Sequence, residues 1–180
     1  DSTTCNGPNS CNLDHEVEKW DGSAGTLLAW VRIPVLKYNT DTTIYVFYGN
    51  SLVTSSTQNK TGVWNTSYGW RGVWHLGESS GNALDSSSYA TSGSVSGTYT
   101  QSSTGQMANA YDFGSNGQVA PGDPADGHLD FGSNSFTVSF WLNVDQSTGA
   151  GAYQLPIHKG STTQASPGYD FEYDNDNARI

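Results

Sequence analysis

The stretch Asn134-Ser-Phe-Thr-Val-Ser-Phe-Trp-Leu-Asn-Val144 constrains the fold most. Phe136, Val138, Phe140 and Leu142 share one parity, and Thr137, Ser139, Trp141 and Asn143 share the other. Period-2 alternation of β-branched and aromatic residues predicts a strand, with the Phe136/Phe140 side toward a core. Trp141, set among small polar residues, then lies on another layer or lines a concave surface. Gly132-Ser-Asn and Gln146-Ser-Thr-Gly punctuate the run on both sides. The expectation is an inner strand of a β-sandwich.

The remaining strand signals recur between turn-rich stretches, and no sustained 3.6-residue apolar period appears, which is the all-β pattern. Leu13–Trp20, Leu27–Ile33 and Thr42–Tyr48 are expected strands, the second stopped by Pro34. Residues 51–62 are polar and aperiodic and are expected to separate two domains, 1–62 and 63–180. A short strand over Gly72–Leu76 leads into a loop rich in oxygen donors. Val95 and Tyr99 anchor weak strands, and Ala108–Phe113 forms another. Tyr169, Phe171 and Tyr173 alternate with Asp170, Glu172 and Asp174 near the end. Those aromatics call for a neighbouring layer, so further strands are expected from a longer polypeptide or a second copy. Asp1 in place of Met also points to a longer or processed polypeptide.

Charged residues are only 13% of the chain, and the net charge is −10. Nucleic acid and anionic membrane surfaces require cationic surface, so neither is an expected partner. No apolar run of membrane-spanning length occurs, so membrane insertion is not expected. Cys5 and Cys11 flank Asn-Gly-Pro-Asn-Ser, a turn sequence that lets them close a small disulfide loop, with free thiols as the alternative. A disulfide implies an oxidising compartment. Asn59-Lys-Thr and Asn65-Thr-Ser are glycosylation sequons.

Two resemblances organise these segments. Asp14-His-Glu-Val-Glu-Lys-Trp20, Ala29-Trp-Val-Arg-Ile-Pro34 and Thr42 through Tyr48-Gly-Asn50 resemble the second half of the domain of unknown function DUF2341. Gly72-Val-Trp-His-Leu-Gly-Glu-Ser-Ser-Gly81, Asp85-Ser-Ser, Ala110-Tyr-Asp-Phe-Gly114 and Phe136-Thr-Val-Ser-Phe-Trp141 resemble a laminin-G-like, concanavalin A-like jelly roll. Such a domain often follows DUF2341 in bacterial surface proteins. The resemblance implies an antiparallel β-sandwich (63–180, truncated at its C-terminus) preceded by a partial smaller β domain (1–62). It also implies a secreted or cell-surface setting, calcium in many members, and binding of carbohydrate or a cell-surface protein rather than catalysis. Gly114 stands where many such modules carry Asp or Asn.

Three kinds of site are expected. Hard cations take six to eight oxygens from carboxylates and loop carbonyls. Glu78 and Asp85 in one loop, with Asp123 and Asp126 in another, form the candidate calcium set; capping of turns is the competing role. Sugar recognition stacks an exposed ring on a pyranose face, and Trp70, Trp141 and Tyr153 are the candidates. Trp74 and Tyr169 are further aromatic candidates, though Trp74 alternates with Val73 and His75 and reads as core. Finally, Asp14, Glu16 and Glu18 share one strand parity. Neighbouring carboxylates about 6.6 Å apart suit a glycoside hydrolase using Glu16 and Glu18. A solvated strand face that discourages edge pairing is the plainer reading. Self-association of a structural or adhesin domain by strand complementation is the remaining alternative.

Overall fold

The structure, a computed structural model, describes residues 12–144, 153–160 and 168–174. The disulfide expected between Cys5 and Cys11 lies outside these residues. The chain is all-β. Its described strands pair two by two in antiparallel ribbons: β1 (His15–Asp21) with β2 (Thr26–Val31), β3 (Ser94–Ser96) with β6 (Gln118–Ala120), β4 (Tyr99–Thr104) with β5 (Asn109–Phe113), and β7 (Tyr153–Lys159) with β8 (Tyr169–Asp174). One helical turn, α1 (Lys60–Val63), and a 3-10 turn over Thr66–Tyr68 are the helical segments among the described residues.

The chain divides into two compact units, 1–124 and 125–180. In the first, β1 and β2 are joined by a turn over 22–25, where Asp21 accepts hydrogen bonds from the backbone N–H groups of Ser23 and Ala24. Aspartate side chains commonly close turns in this way. The outer edge of β1 is covered by the segment before α1. Asn59 N–H donates to the His15 carbonyl at 2.9 Å, and Gln58 accepts from Val17 N–H at 2.6 Å. Trp64, His75 and Ser86, beyond residue 62, also hydrogen-bond to this strand, through Glu16, so segments on both sides of residue 62 hold it. Among the described residues of this unit, Val63, Trp64, Ala83 and Tyr111 are the buried apolar side chains, and Glu16, Asp85, Ser86 and Ser87 are the buried polar ones.

The second unit holds the β7–β8 ribbon. Its register shifts between Gln154 and Ile157, a span containing Pro156. Proline has no N–H for a ladder, and a bulge is where a strand tolerates it. That proline hides β7 in the sequence, where no strand is expected. An aromatic cluster accompanies the ribbon: Phe131 stacks on Phe136 at 4.3 Å, and Tyr169 tilts against both.

Two expected strands are corrected. Thr42–Tyr48 joins no ladder, and Phe47 is 93% exposed. Phe136–Leu142, expected as the organising strand, is likewise unpaired, with Trp141 74% exposed. β-branched and aromatic side chains suit an extended chain, but a strand also needs a neighbouring backbone for its N–H and C=O groups. None of the described residues provides one for either segment. The short strand expected over Gly72–Leu76 reduces to a single bridge between Trp74 and Asp85.

Candidate functional site

The acidic row of β1 faces inward, which corrects the solvated-face reading. The side chains of Glu16 and Glu18 are only 12% and 7% exposed. A register shift between Val17 and Lys19 leaves Glu18 as the extra residue of a β-bulge. Bulges re-aim side chains, and here Trp20, of the same parity as Glu16, ends up 59% exposed.

His75 meets both carboxylates. Its Nε2 lies 3.0 Å from Glu16 Oε2, and its Nδ1 lies 3.6 Å from Glu18 Oε2. Glu16 also accepts from Trp64 Nε1–H at 2.5 Å and from the Ser86 hydroxyl at 2.6 Å. Glu18 accepts from Trp30 Nε1–H. The rings pack around this polar centre: Trp30 stacks on His75 at 5.8 Å, and Trp64 meets Trp30 edge to face at 5.2 Å. Burial alone raises a carboxyl pKa, but the bonds from His75, Ser86 and Trp64 together outweigh it and hold Glu16 at about 2. A general acid needs a raised pKa. The centre instead holds Glu16 as a fixed anion that ties β1 to Trp64, His75 and Ser86.

A second polar group braces the same hairpin. Arg32 donates to Asp14 through Nε (3.0 Å) and Nη2 (2.6 Å), and Asn59 Nδ2 donates to the other oxygen of Asp14 at 2.7 Å. Arg32 also lies over the ring of Tyr68, 5.2 Å from its centroid. The Arg32 guanidinium holds the Asp14 carboxyl below the usual carboxylate range. Both sequon asparagines act as caps: Asn59 accepts from Gly62 N–H and Asn65 from Ser67 N–H.

Beyond α1 the chain makes the 3-10 turn and reverses at Gly69, whose φ of 89° is left-handed. This loop displays Tyr68, Trp70 and Arg71. Trp70 is 42% exposed, and its ring meets that of buried Trp64 edge to face, with centroids 4.7 Å apart and an interplanar angle of 89°. Arg71 donates to the Tyr89 hydroxyl at 2.6 Å. Of the expected sugar-contacting rings, Trp70 is thus half-exposed on a built support and Trp141 is exposed in the second unit. The side chain of Tyr153 lies outside the described residues.

The expected calcium carboxylates have protein donors. Asp85 is buried and accepts from the backbone N–H groups of Val73, Ser87 and Thr91 and from the Ser87 hydroxyl, at 2.8–2.9 Å. It organises the 73–91 loop. Glu78 accepts from Leu84 N–H and from the Tyr111 hydroxyl, whose pKa is pushed up to about 12, by burial first and then by that bond. Asp126 pairs with Nδ1 of His128 at 2.6 Å. Asp123 falls in the first unit and Asp126 in the second. Among the described residues no group of three or more His, Cys, Asp or Glu side chains is placed to hold a metal ion. No described helix is long and apolar enough to cross a membrane.

The Glu16–His75–Glu18 centre was missed in the sequence because His75 stands 59 residues beyond Glu16. The signal that pointed toward it was the acidic parity of β1.

Compared with known proteins, residues 6–92 match the family described as Domain of unknown function (DUF2341). That span takes in every residue of the carboxylate–histidine centre, together with Trp64 and Trp70. No curated protein and no solved structure matches the chain.

Proposed function

We propose that this chain is a non-catalytic extracellular module that binds carbohydrate, with Trp70 as its stacking surface. The supporting observation is the way Trp70 is held. It is half-exposed, follows a capped 3-10 turn and a left-handed glycine, and packs perpendicular to a buried indole. An aromatic ring fixed before binding loses little conformational freedom on contact with a sugar face. Tyr68 and Arg71, both exposed on the same loop, supply hydroxyl and guanidinium groups for sugar hydroxyls. Trp141 is the corresponding candidate in the second unit, within the segment resembling a laminin-G-like jelly roll. A glycan array probed with the full chain tests this reading: competable binding to a defined glycan class is expected, and silence across the array contradicts it.

A second reading, association with another copy by strand addition, is favoured by Thr42–Tyr48. This run contains no charge, Pro or Gly, has an unpaired backbone, and exposes Tyr45, Val46, Phe47 and Tyr48. Segments of that composition pair readily with other strands. Oligomers whose mass falls on introducing a charge into this run are expected under this reading.

A further inference from the structure

We propose that Glu16 is a positioning residue for the ligand-facing ring of Trp70 and acts on it through Trp64. This rests on the carbohydrate-binding reading. The contact sequence is continuous: Glu16 Oε2 accepts from Trp64 Nε1–H at 2.5 Å, and the Trp64 ring meets Trp70 at 4.7 Å and 89°. The torsion that turns an indole about its Cβ–Cγ bond is broad and roughly two-fold, so the torsion by itself leaves two orientations open. In one, the Trp64 N–H meets a carboxylate; in the other, a buried donor loses its acceptor and an anion loses a partner. Leaving a buried polar group unpaired is disfavoured, more so for a charged partner. The carboxylate therefore selects one orientation of Trp64.

Glu16 is itself held from elsewhere. Ser86 donates to Oε1 at 2.6 Å, and His75 contacts Oε2 at 3.0 Å. Trp64 is flanked by Trp30 at 5.2 Å and His75 at 5.6 Å as well as by Trp70. A turn of Trp64 would change the surface that it presents to Trp70. The exposed ring is thus set by a buried acid that never touches the sugar.

The experiment compares Glu16→Met, which keeps volume but removes the acceptor, with Glu16→Gln, which keeps one carbonyl oxygen for the indole N–H. The indole 1H–15N resonances of Trp64 and Trp70 are followed in the full chain, assigned through single Trp→Phe variants. Trp70 is expected to give one line in the unaltered protein and in Glu16→Gln, and a split or broadened line in Glu16→Met. Affinity for the oligosaccharide selected on the array is expected to fall at least about tenfold in Glu16→Met and to be largely restored in Glu16→Gln. If Glu16→Met does not fold, Glu16→Leu removes the acceptor while keeping the Trp64 ring and is expected to disturb Trp70 equally. An unchanged Trp70 line in a folded variant whose Trp64 contact is lost overturns the proposal, even if Trp70→Ala abolishes sugar binding. Absence of glycan binding by the unaltered protein overturns the underlying reading instead.

Discussion

Glu16 Oε2 stands 3.0 Å from Nε2 of His75, which follows it by 59 residues in the chain. The contact joins a strand of the hairpin to the loop around Asp85, and it should appear in the pH dependence of stability. The Glu16 carboxyl falls from 4.5 to about 2 in the folded chain, the bonds from His75, Ser86 and Trp64 outweighing burial. A pKa depressed by folding contributes stability that is fully present above the unfolded value and lost as pH falls through the folded one. The loss is therefore expected between pH 4.5 and about 2 and amounts to roughly 3 kcal/mol. Urea unfolding at pH 7, 4, 3 and 2 follows it. Glu16→Gln should flatten that slope, and an identical slope in the variant would show that Glu16 does not carry it.

Asp85 is expected to be less tolerant of truncation than any exposed carboxylate. Asp85→Ala removes the acceptor of three backbone N–H groups and one hydroxyl. Unsatisfied buried donors cost about 1–3 kcal/mol each, with partial relief by water, so a loss of about 3 kcal/mol or more is expected in chemical denaturation. A variant within about 0.5 kcal/mol of the parent, the range of ordinary surface changes, would contradict the structural role assigned to this residue.

Two glycines separate strain from clash. Gly81 and Gly97 have nearly the same left-handed φ, 80° and 78°. A Cβ on Gly81 meets nothing within 4 Å, whereas one on Gly97 would lie 1.9 Å from the Asn116 carbonyl oxygen. Gly81→Ala is expected to cost about 1–2 kcal/mol from backbone strain alone. Gly97→Ala should cost clearly more, because the β3–β6 ribbon must move to relieve the contact. Equal melting temperatures for the two variants would overturn the distinction.

The sequence made some elements legible and concealed others for definable reasons. The all-β class, the β1–β2 hairpin, β5 and β8 followed from alternation and turn residues. Thr42–Tyr48, a run of β-branched and aromatic residues, and Phe136–Leu142, which alternates, read as strands more strongly than β1, yet no described backbone pairs with them. Alternation reports two faces, not the presence of a partner. β7 was hidden by Pro156, which its bulge accommodates. In the candidate site, the shared parity of Glu16 and Glu18 was visible, but not its direction. Inward-facing carboxylates require donors, and the donors Trp64, His75 and Ser86 are brought there only by folding. Trp70 was identifiable as a candidate ring, whereas its support on Trp64 was not.

The exposed run Thr42–Tyr48 gives an independent expectation about association. Phe47→Lys places a charge where Phe47 is 93% exposed, at little cost to the monomer, and charges on free strands oppose pairing. Light scattering of the parent should show concentration-dependent association that this variant reduces. Equal masses for parent and variant at all concentrations would remove the strand-addition reading.

The most direct test of the binding reading compares two exposed tryptophans. Trp70 packs perpendicular to Trp64, while Trp20 is more exposed and, among the described residues, has no comparable aromatic support. Calorimetric titration of the array-selected oligosaccharide should show Trp70→Ala losing about 2 kcal/mol, roughly thirtyfold in Kd. Trp20→Ala should stay within about twofold of the parent. Undiminished affinity in a folded Trp70→Ala variant would contradict the placement of the sugar on this ring.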